Sequence, residues 1–148
     1  MNLSMMTKKT TGLQILLIMA VALSLTFQAC KKIAGEGGTS TVTGKVYAKD
    51  YNATFTVLQG EYYVPDKYVF IVYGDAKDYG NKVRTSYDGT YEFKYLRPGN
   101  YKVYCFSKDS LLQTNAEIGI IKEVTISKQY QEVTVPDITI FTVNGKNK

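Results

Sequence analysis

The sequence predicts an all-β domain, a single antiparallel β-sandwich of about seven strands. Three observations carry that prediction. Apolar and aromatic residues alternate with polar ones in short runs, the two-residue period of a strand with one buried face. Turn chemistry recurs at close intervals between the runs, at Gln59-Gly60, Pro65-Asp66, Asp88-Gly89, Arg97-Pro98-Gly99-Asn100 and Pro136-Asp137, a spacing suited to two stacked sheets. Composition agrees. The chain holds 13 Tyr and neither Trp nor His, and its Tyr, Val, Ile and Thr favour strands over helices.

Each element has its own justification. Residues 41–48 place Val42, Gly44, Val46 and Ala48 on one parity against Thr and Lys, a first strand. Residues 52–66 read as an inserted or extended hairpin that turns at Gln59-Gly60 and is closed by Pro65-Asp66. Residues 68–73 are nearly continuously apolar, as in a central strand covered on both faces. Residues 74–81 form a loop. The centre of the chain is the stretch 85–107, where Asp88-Gly89 predicts a hairpin joining 83–87 to 91–95. Arg97-Pro98-Gly99-Asn100 then fits a type II turn, with proline presetting φ and glycine taking the left-handed position. Tyr91, Phe93, Tyr101, Val103 and Cys105 alternate toward the core. After a polar connection at 108–116, Ile118, Ile120, Val124 and Ile126 mark a further strand with Ile121 out of phase. Val133 and Val135 share one parity, Ile138 and Ile140 the other. Pro136-Asp137 between them predicts a bulge or edge crossing that resets the register, since proline cannot donate to a ladder.

The run D-G-T-Y-E-F-K-Y-L-R-P-G-N-Y-K-V, with Thr43-Gly44-Lys45-Val46 as an opening strand, resembles the carboxypeptidase-regulatory, or prealbumin-like (transthyretin-like), β-sandwich domains, an Ig-like architecture. The resemblance spans roughly 41–141, and residues 52–66 depart from it. It implies a fold and carries no catalytic residues. One transthyretin-like relative hydrolyses a urate-pathway intermediate through histidines and a C-terminal tetrapeptide ending in Gly-Ser. This chain has no histidine and ends N-G-K-N-K, so that activity is excluded.

The first segment is an address. Lys8 and Lys9 precede the uncharged residues 10–29, within which 15–27 form an apolar h-region and Ala29 is a small residue at the expected cleavage point, the pattern of a secretory signal. Phe27-Gln28-Ala29-Cys30 resembles a bacterial lipobox. It implies cleavage after Ala29, acylation of Cys30 and, with Lys31 in place of a retention aspartate, sorting to the Gram-negative outer membrane. The other reading of the segment is an uncleaved transmembrane anchor, because about 20 uncharged residues can span a bilayer. The expected organisation is therefore 1–29 signal peptide, 30–40 lipidated cysteine and flexible tether, 41–148 β-sandwich. Either form of attachment makes the membrane a partner.

Charge and side-chain chemistry exclude more than they assign. Loss of Lys8 and Lys9 takes the formal charge from +5 to +5 − 2 = +3, with acids and bases interspersed, which is no nucleic-acid footprint. Lacking His, the chain has neither the usual general base nor the commonest zinc ligand. Asp66, Asp75, Asp78 and Asp88 sit in turns, where Asp serves backbone geometry, and their spacing matches no calcium loop. No catalytic residue, cofactor or metal site is expected. Cys105, on the core parity, is a small hydrophobe rather than a reactive thiol. Asp109-Ser110-Leu111 matches a short O-glycosylation pattern at Ser110, and Asn52-Ala53-Thr54 is a sequon without consequence in such a setting. The informative residues are the tyrosines. Tyr62, Tyr63 and Tyr79 are the candidate partner-binding residues, placed by expectation at one end formed by 52–66 and the 75–81 loop, because a tyrosine ring is apolar and its tip polar. The function expected is a non-enzymatic interaction or structural module of the envelope. The alternative is a surface carbohydrate-binding lipoprotein; the partner is an envelope protein in the first case and a glycan in the second.

Overall fold

A computed structural model of the chain describes residues 33–111 and 116–143; Cys30 and the leader lie outside them. The described residues form nine strands: β1 (Glu36–Tyr51), β2 (Leu58–Tyr63), β3 (Tyr68–Tyr73), β4 (Asn81–Arg84), β5 (Thr90–Leu96), β6 (Gly99–Lys108), β7 (Glu117–Ile126), β8 (Glu132–Thr134) and β9 (Ile138–Val143). They make two sheets, one of five strands built on β1 and one of four in the order β4-β3-β6-β7. The all-β sandwich expectation holds, and the count of about seven is corrected to nine. The additional strands are β2, which falls in the segment expected as an insertion, and β8, which Pro136-Asp137 separates from β9.

β1 is the spine of its sheet. One edge pairs antiparallel with β5 along its first half and with β2 along its second. Val46 links the two, accepting from Val64 N and donating to Gly89 O. The other edge pairs with β8 and β9, and both pairings are parallel. The expected all-antiparallel sandwich is corrected there. The chain leaves β7 in one sheet, crosses at residues 127–131 and enters the other already travelling in β1's direction, and only such a crossing permits parallel neighbours. The register reset at Pro136-Asp137 is present as expected. Thr43 pairs Thr134 and Val46 pairs Ile138, so β1 advances three positions while its partner advances four. Val135, Ile138 and Ile140 thereby all reach the core.

Three local expectations are corrected. Asp88-Gly89 is not a hairpin, because β4 and β5 lie in different sheets. It is an arch between them, in which the Asp88 carboxylate accepts from Ser86 Oγ (2.7 Å), Thr90 Oγ1 (2.9 Å) and Lys45 Nζ (2.9 Å). Glycine is still required: Gly89 has φ 79° and a Cβ there would stand 2.8 Å from Tyr63 Cβ. Residues 97–100 also cross between sheets. Gly99 has φ 156°, whereas the third position of a type II turn needs about +80°. Finally, β2 is the return strand of a β1–β2 hairpin, so residues 52–57 turn and Gly60 lies opposite Asp50. Asn52 Oδ1 organises that turn, accepting from Thr56 N (2.9 Å) and Val57 N (3.1 Å).

Residues 36–40, expected as tether, are strand. Ser40 is fully buried, accepting at Oγ from Gln131 N and donating to Lys128 O, each 3.1 Å. The core between the sheets holds Val42, Val46, Tyr91, Phe93, Tyr101, Val103 and Cys105, on the parities read from the sequence, together with Val69 and Ile71. On the edge strand β7, Ile121 faces out as its phase predicts. Lys122 shares the inner phase, opposite Val103.

Candidate functional site

An antiparallel sheet with one buried face usually turns polar residues to solvent. The four-stranded sheet does not. Val69 and Ile71 of β3 and Val103 and Cys105 of β6 take the core face, so Tyr68, Phe70 and Val72, with Lys102, Tyr104 and Phe106, take the outer one. Register sets these side chains in ranks. Arg84 faces Tyr68, and Phe106 faces Gly119; in the next rank Lys82, Phe70, Tyr104 and Ile121 follow across the strands. Val72, Lys102 and Glu123 form a third rank, and Asn100 and Thr125 a fourth.

Phe70 is the hub of the aromatic ranks. It stacks on Tyr104 with centroids 5.1 Å apart and planes 14° from parallel. Tyr79, from the loop between β3 and β4, meets it edge-on at 5.1 Å, and Phe106 at 5.6 Å. Arg84 lies over the Tyr68 ring (4.3 Å to the centroid) and donates to its hydroxyl (2.8 Å), while its guanidinium also pairs with Asp66. Those hydrogen bonds to Asp66 and Tyr68 raise the already high Arg84 pKa. Lys82 adds a second cation 4.8 Å from the same ring. Burial raises the Tyr104 phenol, with smaller contributions from Tyr79 and Asp78 beside it.

Toward the third and fourth ranks the surface becomes polar and concave. A cleft of about 280 Å3 is lined by Asp75, Asn100, Lys102, Glu123 and Thr125, with Gly74, Tyr101 and Val124. Thr125 Oγ1 donates to Asn100 Oδ1 at 3.0 Å. An aromatic patch thus runs directly into a cleft of carboxylates, an amide, a hydroxyl and an ammonium.

Of the residues singled out in the sequence, Tyr79 (47 % exposed) belongs to this face. Tyr63 is on the outer face of the other sheet. It pairs with Tyr47, meets its ring edge-on at 5.2 Å and donates to Asp137 Oδ2 at 3.1 Å, a hydrogen bond that raises its pKa. Tyr62, in register with Ala48, has the inner phase of the edge strand β2 and is 39 % exposed. The structure does not bring these three together. Residues 52–57 turn beyond Tyr51 at one end of β1, whereas the loop carrying Tyr79 is fastened at the other end, where Asn81 Nδ2 donates to Glu36 (2.7 Å). The turn carboxylates are likewise dispersed, and among the described residues no three His, Cys, Asp or Glu side chains could share a metal ion. Cys105 is buried and unpaired, and desolvation pushes its thiol up to about 11. Asp109 accepts from Leu111 N (3.0 Å) across the turn that holds Ser110.

No protein-family model and no curated protein matches the chain. Among solved structures it is similar to one from Pseudomonas aeruginosa, provisionally described as carbohydrate-binding, at 12 % identity and a TM-score of 0.43 over 70 % of this chain and 91 % of that one. The likeness transfers no residue role. Phe70, Tyr104 and Phe106 are therefore assigned by geometry alone. Sequence parity could have found them, since each holds the opposite phase to its core neighbours Ile71, Val103 and Cys105.

Proposed function

We propose that the chain is a non-enzymatic, membrane-tethered binding module whose four-stranded sheet takes a saccharide on its outer face. One observation carries the reading: the aromatic ranks, half-buried at Phe70 and Tyr104 and exposed at Tyr68, Tyr79 and Phe106, continue into the polar cleft. A sugar ring has an apolar C–H face and a rim of hydroxyls. The first suits the rims and faces of Phe70, Tyr79, Tyr104 and Phe106, and the second suits Asp75, Asn100, Lys102 and Glu123. An exposed patch of this kind marks an interaction site, and a few convergent polar groups beside it confer orientation. Acylated Cys30 would hold the module at the outer membrane, and a prealbumin-like sandwich is the fold reading that accompanies it.

Docking of an envelope protein on the same face is the second reading, favoured by the Tyr68–Arg84 pair, since Tyr and Arg are enriched in protein interfaces. A glycan array separates the two. Saccharide binding by the wild type, weakened about tenfold or more by Tyr79→Ala with Phe106→Ala at unchanged melting temperature, supports the proposal, a tenfold loss corresponding to about 1.4 kcal/mol. An array without reproducible binding, or binding indifferent to these substitutions, overturns it in favour of the protein partner.

A further inference from the structure

We propose that the end of the sandwich where β1 begins is a membrane-seating surface, with Tyr95 and Tyr130 resting in the headgroup layer of an anionic bilayer. The inference rests on the reading that the segment upstream of residue 33 tethers the chain to that membrane.

Both tyrosines adopt left-handed backbone conformations, Tyr95 at φ 59° and Tyr130 at φ 56°. Bulky side chains rarely go there, and such strain persists only where the surroundings impose it. Tyr95 precedes Leu96, which is buried at the irregular pairing with Glu36 and Ser40. Tyr130 donates its N–H to Thr39 Oγ1 (3.1 Å), and the neighbouring Gln131 N–H goes to Ser40 Oγ (3.1 Å). The two residues thus flank β1 at the same level, one on each edge. The fold spends rigid, strained backbone on holding two rings that are 70 % and 81 % exposed.

Their surroundings suit a lipid interface. Ile33 is 77 % exposed, and a cleft of about 250 Å3 joins it to Gly37, Gly38, Arg97, Pro98 and Gln129. Lys94, Arg97 and Lys128 are exposed at this end, Lys94 paired with Glu92, and Lys31 and Lys32 precede it in the sequence. Of the nearby acids, Glu36 is occupied, accepting from Tyr73 Oη (2.9 Å) and Asn81 Nδ2 (2.7 Å), and Glu132, two residues after Tyr130, is exposed. Tyrosine rings settle where apolar and aqueous layers meet, and cations favour an anionic leaflet within a Debye length. Cys30 lies three residues before Ile33, a reach of about 10 Å at most. A tether that short brings this end, and not the opposite one, to the bilayer.

The chain has no tryptophan, so single substitutions report depth cleanly. Full-length Tyr95→Trp, Tyr130→Trp and, as the control, Tyr87→Trp in the β4–β5 arch (93 % exposed) are reconstituted in phosphatidylethanolamine–phosphatidylglycerol vesicles with and without brominated acyl chains. The expected result is blue-shifted emission and several-fold stronger quenching at 95 and 130 than at 87. A nitroxide on Lys128→Cys, selective because Cys105 is buried and an acylated Cys30 has no free thiol, reads the same depth if a tryptophan variant fails to fold. Water-like emission at all three sites in a chain that floats with the vesicles overturns the seating alone. A wild-type chain that remains in the aqueous fraction overturns the tether reading and the seating with it.

Discussion

Tyr91→Phe should stabilise the protein. The Tyr91 ring is 1 % exposed, its hydroxyl has no hydrogen-bond partner among the described residues, and burial raises its pKa well above the ordinary phenol range. The ring lies across β1 at Gly44, its register partner; an added Cβ there would stand 2.5 Å from the hydroxyl oxygen. A buried hydroxyl without a partner costs about 1–3 kcal/mol. Removing the oxygen leaves a void no larger than about one water-sized probe, about 15 Å3, which at about 24 cal/mol per Å3 returns about 0.4 kcal/mol. The net expectation is a gain of about 1–2 kcal/mol, or about 4–8 °C in Tm for a domain of this size. Urea denaturation followed by circular dichroism measures it, the midpoint rising at constant slope. A loss of stability of about 1 kcal/mol or more would refute the reasoning, because it would mean that the hydroxyl holds a hydrogen bond, for instance to an ordered water.

Three further outcomes follow from the same geometry. Gly44→Ala should destabilise by about 1–3 kcal/mol, as overpacking does, read by the same denaturation curves; a neutral result would show that the Tyr91 ring moves aside freely. Hydrogen bonds from Ser86, Lys45 and Thr90 hold the Asp88 carboxyl well below the usual range, so the unfolded chain takes up this proton first. Asp88's contribution is therefore complete above about pH 4, the unfolded carboxyl's range, and is lost as pH falls toward the folded value. Asp88→Asn should lower Tm at neutral pH and flatten its acid limb, and parallel Tm profiles for the two proteins would contradict the assignment. Cys105, its thiol at about 11, should resist maleimide at pH 8 in native protein and react on unfolding, as followed by mass spectrometry.

What was legible in the sequence was whatever depends on alternation. Tyr91, Phe93, Tyr101, Val103 and Cys105 fall in the core, and Pro136-Asp137 shifts the register as their parities demanded. What was not legible depends on partners. A left-handed glycine closes an arch as well as a hairpin, so Asp88-Gly89 announces a turn without saying which sheet receives β5. The parallel pairing of β8 and β9 follows from a crossing that no local residue specifies. Residues 36–40, rich in Gly, Ser and Thr, resemble a tether because the hydrogen bonds that fix Ser40 come from Gln131 and Lys128, 88 to 91 positions away. At the candidate site the failure was one of face. Residues 68–73 read as covered on both sides, and the aromatics of the outer side are covered chiefly by one another.

Lys122 bears on how copies of the chain meet one another. Proteins at high concentration meet their neighbours repeatedly and side by side, and a ten-residue edge such as β7 offers an open row of backbone groups to each encounter. A second sheet continuing past that edge would have to carry the core layer over the half-buried Lys122 side chain opposite Val103. An inward-pointing charge on an edge strand makes that extension costly. One lysine in the wrong phase thus lets copies crowd together without zipping into a continuous sheet.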